Sequence, residues 1–175
     1  MSIGACTQIN PEINAIDHVH TEENGNLMIE VELPNIVQGE KSTWNVNREK
    51  DDDIFIQKNT VTPNNKTSDE ALIYTIDITS PGKYRIWSRV HNDSITEGLI
   101  LRIHEKIMEV NPVNLPQDQF VWVNENASFA FDTGRYQIYL QLKEKHLKVD
   151  KLLLLKDQRM EPDGGDAVKL WFNAA

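Results

Sequence analysis

Residues 147–157, LKVDKLLLLKD, decide the fold. Four consecutive leucines follow an acidic residue, and hydrophobicity alone allows either buried helix or a strand covered on both faces. Leucine is a good helix former, but only about two turns are available before Pro162, too few to stand without strong packing. The neighbouring segment decides for the strand. RYQIYLQL (135–142) sets Tyr136, Ile138, Leu140 and Leu142 on one face at a period of two. The short polar link KEKH then predicts a hairpin in which LKVDKLLLL is the closing strand, apolar throughout because both its faces are covered.

Working outward, the same texture recurs in NLMIEVEL, DIFIQ, ALIYTIDI, KYRIWSRV, GLILRIHE, QFVWV and ASFAF. Turn-forming clusters separate them: TPNNKTSD, SPGK, HNDSITEG, NPVNLPQD and DTG. Short β-rich runs at this spacing predict an all-β fold, an antiparallel β-sandwich of jelly-roll type. In ALIYTIDI the core face takes Leu72, Tyr74, Ile76 and Ile78, and no segment offers ten residues of helical period with caps. Residues 1–24 read as an extended or partly disordered lead-in, 25–163 as the sandwich, and 164–175 as a tail in which Trp171 and Phe172 either dock back or meet a partner.

With 175 residues the chain suits one domain, and no apolar run approaches the roughly 20 residues a membrane helix needs. Eighteen Lys and Arg against 27 Asp and Glu leave a net charge of -9, which argues against nucleic acid, whose phosphates are bound by displacing counterions with basic side chains. Cys6 is the lone cysteine, so no internal disulfide forms. The start MSIGACTQ resembles the end of a lipoprotein signal without the charged and apolar regions that precede one, which makes an extracellular, periplasmic or cell-surface location an expectation.

The order of landmarks is informative: MIEVEL, then Trp44 in STWNV, LIYTIDITSPGKYRIWSRV, Trp122 in QFVWV, FDTGRYQIYLQL and LKVDKLLLLKD. It resembles the galactose-binding-like β-sandwiches of carbohydrate-binding module families 6 and 35, over roughly residues 27–163. The resemblance implies a non-catalytic module that holds a polysaccharide, often beside a glycan-degrading enzyme. It also implies a structural calcium among Glu30, Glu32 and Asp150. Calcium takes oxygen ligands, and residues i and i+2 of a strand share a face. The competing reading has Glu30 and Glu32 on a solvated face and Asp150 paired to Lys148 or Lys151. The resemblance places the sugar among loops at one edge, with Trp122 as stacking platform and Trp44 as a second wall; plain packing of both tryptophans is the alternative. The family often has Asn before the last strand, whereas this chain has Lys145, His146 and Lys148, donors suited to a carboxylated or sulfated sugar.

Alternation exposes a second candidate surface. If Tyr84, Ile86 and Val90 face the core, then Lys83, Arg85, Trp87 and Arg89 face away, and Arg102, His104, Gln137, Tyr139 and Gln141 are outward on their own strands. A single face carrying Arg85, Trp87, Arg89, Arg102, His104 and Tyr139 would hold an acidic polysaccharide by arginine forks and stacking rings; cover by the lead-in or by another subunit is the competing explanation. His18 and His20 supply two metal ligands at most. Glu49–Asp53 reads as a solvated loop, and Asn65, Asn92 and Asn126 match the glycosylation pattern. No nucleophile elbow, zinc-protease helix, phosphate loop or dinucleotide fingerprint is present, so an enzyme is not expected. Two other readings stand beside the module: a structural or protein-interaction sandwich, and a jelly-roll polysaccharide lyase, which would draw an Arg, a Gln or Asn, a His and a Tyr from one face.

Overall fold

The computed structural model describes residues 12–48, 54–58, 70–92, 98–112, 115–116, 118–125, 128–162 and 168–170, with Asn92 and 168–170 described by backbone only. Cys6, residues 49–53, Asn65, Asn126, Trp171 and Phe172, and the side chain of Asn92, lie outside what is described.

Among the described residues there are fifteen strands, one 3-10 turn (Lys41–Thr43) and no α-helix. The strands are β1 (His20–Thr21), β2 (Asn26–Glu30), β3 (Ile36–Gln38), β4 (Trp44–Arg48), β5 (Ile54–Lys58), β6 (Ala71–Ile78), β7 (Gly82–Asn92), β8 (Leu99–Ile103), β9 (Lys106–Val110), β10 (Val121–Val123), β11 (Ser128–Phe131), β12 (Gly134–Leu142), β13 (Leu147–Leu155), β14 (Met160–Pro162) and β15 (Val168–Leu170). They form two main sheets. The six-stranded sheet runs β1-β6-β12-β8-β9, with β3 also on β6. The seven-stranded sheet runs β10-β7-β13-β5-β4, with β11 also on β7 and β2 also on β13. Among the described strands only β1 with β6 is parallel; β14 and β15 form a separate antiparallel pair.

The core lies between the two sheets. Leu72, Tyr74, Ile76 and Ile78 of β6, and Ile138, Leu140 and Leu142 of β12, meet Tyr84, Ile86 and Val90 of β7 and the inward leucines of β13. This is the antiparallel sandwich that the alternation predicts. Each fully buried Leu or Ile contributes about 2 kcal/mol of transfer free energy.

The predicted hairpin does not form. β12 pairs with β6 and β8, whereas β13 crosses to the other sheet and pairs with β7, β2 and β5. The four-residue link spans the thickness of the sandwich instead of turning within one sheet. Strand β13 also carries a register shift between Val149 and Lys151. Core positions are Leu147 and Val149 before it, and Leu152 and Leu154 after it. Leu153 and Leu155 therefore point outward, yet they are 1% and 0% exposed. The strand is covered on both sides.

The lead-in, in its described part, is integrated with the sandwich. Ile13 is wholly buried in the core, Ile16 N–H donates to the Pro34 carbonyl at 2.8 Å, and β1 extends the six-stranded sheet. Buried Glu22 clasps two turns together. Its carboxylate accepts from the amides of Gly25, Thr79 (3.0 Å) and Ser80 (2.9 Å) and from the Thr79 hydroxyl. Burial pushes its pKa up, but the Thr79 hydroxyl and the three amides outweigh burial and hold it below the usual carboxylate value.

Candidate functional site

Cross-strand register places Trp122 opposite Arg89, Arg89 opposite Lys151, and Lys151 opposite Glu30, one row across the outer face of the seven-stranded sheet. At the shift in β13 the Asp150 carboxylate turns into this row and accepts from Arg89 Nη1. Both side chains are largely buried, 12% and 2% exposed. Lys151 Nζ stands 3.5 Å from Glu30 Oε1. Arg89, which lies beside it on β7, is thus a cation on Asp150.

Glu32 is close enough to feel both acids. Burial, with repulsion from Glu30 and Asp150, pushes its carboxyl up to about 7, and one of its oxygens is buried without a hydrogen-bond partner. The implied calcium has its three carboxylates near one another, but two of them are matched by side-chain cations. Among the described residues no three His, Cys, Asp or Glu side chains are placed to hold an ion. As arranged, they do not fit one.

Trp44 is not a wall of a sugar site. It lies on the inward side of edge strand β4, is 3% exposed and belongs to the core, with Lys58 Nζ 5.5 Å over its ring. Trp122 lies on the opposite edge of the same sheet and on its outer face, about 19 Å away at ordinary strand spacing. Lys148 packs 5.1 Å over Phe55, while His146 is exposed in the link before β13.

The single cationic face divides between opposite sides of the sandwich. Arg85, Trp87 and Arg89 belong to β7 in the seven-stranded sheet, whereas Arg102, His104 and Tyr139 belong to the six-stranded sheet or its β8–β9 turn. Beside Trp87, itself half-buried, its cross-strand neighbour Leu153 and the next outward residue, Leu155, are fully buried. Arg85 lies 6.0 Å over the Trp87 ring.

The outer face of the six-stranded sheet is open. Thr75, Arg102, His104, Arg135, Tyr136, Gln137 and Tyr139 line a groove of about 440 Å³, within the range of ligand sites. The Arg102 guanidinium lies 4.0 Å over the Tyr139 ring, and the Tyr139 hydroxyl donates to Gln137 at 3.2 Å. Arg135 forks onto Asp77 at 2.8 and 3.0 Å, which holds it at the rim and lowers the Asp77 pKa. His104 sits in the β8–β9 turn at φ +53, a conformation that costs a non-glycine residue about 1 kcal/mol, and its ring meets Tyr136 edge-on at 5.2 Å. Thr75 and Arg135 complete the groove beyond the residues read from sequence. The alternation that turns Gln137 and Tyr139 outward on β12 turns Arg135 outward too.

The molecule is an antiparallel β-sandwich whose fold is similar to that of carbohydrate-binding modules of families 6 and 35. A family 6 module from the marine laminarinase LamC of Zobellia galactanivorans superposes with a TM-score of 0.56 at 15% identity, over 75% of this chain and 99% of that one. The Podospora anserina family 26 mannanase with a family 35 module gives 0.53 at 11%, over 80% of this chain and 29% of that one. The insecticidal crystal protein Cry2Aa gives 0.60 at 11%, over 78% and 22%. At these identities the likeness is one of fold, and the fold serves more than one activity. No family model and no curated protein matches the chain. No helix among the described residues is long and apolar enough to cross a membrane.

Proposed function

We propose that this chain is a non-catalytic carbohydrate-binding module that takes an acidic polysaccharide in the groove on the outer face of the six-stranded sheet. The observation that carries this reading is the Arg102–Tyr139 pair at the groove floor, flanked by Arg135, His104 and Gln137. An aromatic ring packs against the C–H face of a sugar, the guanidinium groups fork onto carboxylate or sulfate, and the amide and hydroxyl groups fix orientation. The likeness to family 6 and 35 modules supports sugar binding as the class of activity. A module of this kind raises the local concentration of a glycan-degrading partner at its substrate. Arg89 and Lys151 stand against Asp150 and Glu30, two of the carboxylates of the implied calcium site.

Affinity electrophoresis in neutral, carboxylated and sulfated polysaccharide tests the reading. Retardation by the anionic gels, lost in Tyr139→Ala and Arg102→Ala, is expected. Retardation that survives both changes but disappears in Trp122→Ala would move the site to the loop edge. No retardation in any gel favours the structural or protein-interaction sandwich.

A second reading follows from the same groove, because Arg102, Gln137, His104 and Tyr139 are the residue types a jelly-roll polysaccharide lyase uses. Rising ultraviolet absorbance from unsaturated products on a uronate polymer would establish that activity; a flat trace leaves a binding module.

A further inference from the structure

Beside the groove lies a second hollow of about 420 Å³, lined by Ile103, His104, Glu105, Lys106, Phe129, Ala130 and Phe131. It occupies the end of the sandwich where the β8–β9 turn of one sheet faces edge strand β11 of the other. The two hollows share His104. A chain of rings also separates and joins them. His104 meets Tyr136 edge-on at 5.2 Å, and Tyr136 meets Phe131 edge-on at 4.8 Å.

Their chemistry differs. The first is walled by guanidinium, amide and hydroxyl groups, the second by Ile103, Phe129 and Phe131 under a rim of Glu105 and Lys106. We infer that the second hollow is a subsite for an aryl group carried by the glycan, as an aromatic ester or aglycone; this rests on the groove being the glycan site. A further hydroxylated sugar would leave its hydroxyls without partners against an apolar wall, a cost an aryl group does not incur. The aryl group instead buries apolar surface and extends the edge-to-face chain of His104, Tyr136 and Phe131. His104, held at φ +53, is the hinge post around which the ligand passes from sheet face to sandwich end.

The test compares methyl β-glucuronide with 4-nitrophenyl β-glucuronide by titration calorimetry. The aryl glycoside is expected to bind about 10-fold more tightly, the effect of burying one ring's worth of favourable contact. Ala130→Trp, which sets a large side chain at the exposed Ala130 position lining the hollow, is expected to return the ratio of the two constants to one; Ala130→Leu is the smaller substitution for use where the tryptophan variant does not fold. Equal constants in the wild-type protein overturn the subsite. Binding of neither glycoside overturns it as well, and polysaccharide retardation measured in parallel then tells separately whether the groove itself survives as the glycan site.

Discussion

The two outer faces of the sandwich use the same residue types to opposite ends. On the seven-stranded sheet Arg89 and Lys151 are turned onto Asp150 and Glu30, and Trp87 sits beside leucines that are fully covered. On the six-stranded sheet Arg102 rests on Tyr139 and Arg135 forks at a rim, with a groove between them. Arginine beside an aromatic ring is therefore not in itself a binding signature. What separates the two is the setting of the guanidinium: Arg89 is held by a largely buried acid, whereas Arg102 lies on Tyr139 and lines a groove.

That contrast breaks most visibly at Arg89. Replacing it with Ala leaves Asp150 charged and largely buried, and is expected to cost about 3 kcal/mol in chemical denaturation, whereas Arg102→Ala on the open face changes stability by less than about 0.5 kcal/mol. Similar losses for the two would erase the distinction. Next comes the clasp at the end of the sandwich. Glu22→Ala strands the Gly25, Thr79 and Ser80 amides and is expected to cost about 2 kcal/mol. Because the Glu22 carboxyl is held below its ordinary value, its contribution is present above the unfolded-state pKa and is lost as pH falls through the folded-state one; the variant should show a shallower acid limb in a pH series of melting temperatures.

Glu32 gives a smaller effect of opposite sign. Its folded pKa of about 7 exceeds the ordinary 4.5, so the native state binds more protons between those values and loses stability as pH rises through that window. Glu32→Gln should gain roughly 1 kcal/mol at pH 8, after allowance for solvent screening of a part-exposed group, and gain nothing at pH 4.5. The smallest expected effect is that of metal: with Arg89 and Lys151 set against Asp150 and Glu30, chelator or added calcium is expected to leave the melting temperature unchanged. A clear rise with calcium would return Glu30, Glu32 and Asp150 to the role of ligands.

Much of the fold is legible in the strands themselves. The alternation in ALIYTIDI and RYQIYLQL names inward residues that do fill the core, because a strand's two faces are written in its own period. Which sheet a strand joins is not written there. Arg85 and Arg102 are both outward by alternation and end on opposite sides of the molecule, since β7 and β8 part company at a connection whose path no local pattern records. Trp44 illustrates the same limit: tryptophan serves equally as platform or packing, and its inward place on β4 emerges only once the partner sheet is in position. The groove was half legible, through Arg102, His104, Gln137 and Tyr139. Its neighbour across the sandwich end was not, because Phe129 and Phe131 meet the β8–β9 turn only through tertiary structure.

One consequence of the shift in β13 concerns how that strand finds its place. A run of four leucines looks the same when slid by one residue, so Leu152, Leu153, Leu154 and Leu155 carry almost no information about alignment. The charges just ahead of them do. Asp150 can meet Arg89, and Lys151 can meet Glu30, in one alignment only, so this pair of contacts acts as a register pin for an otherwise featureless strand.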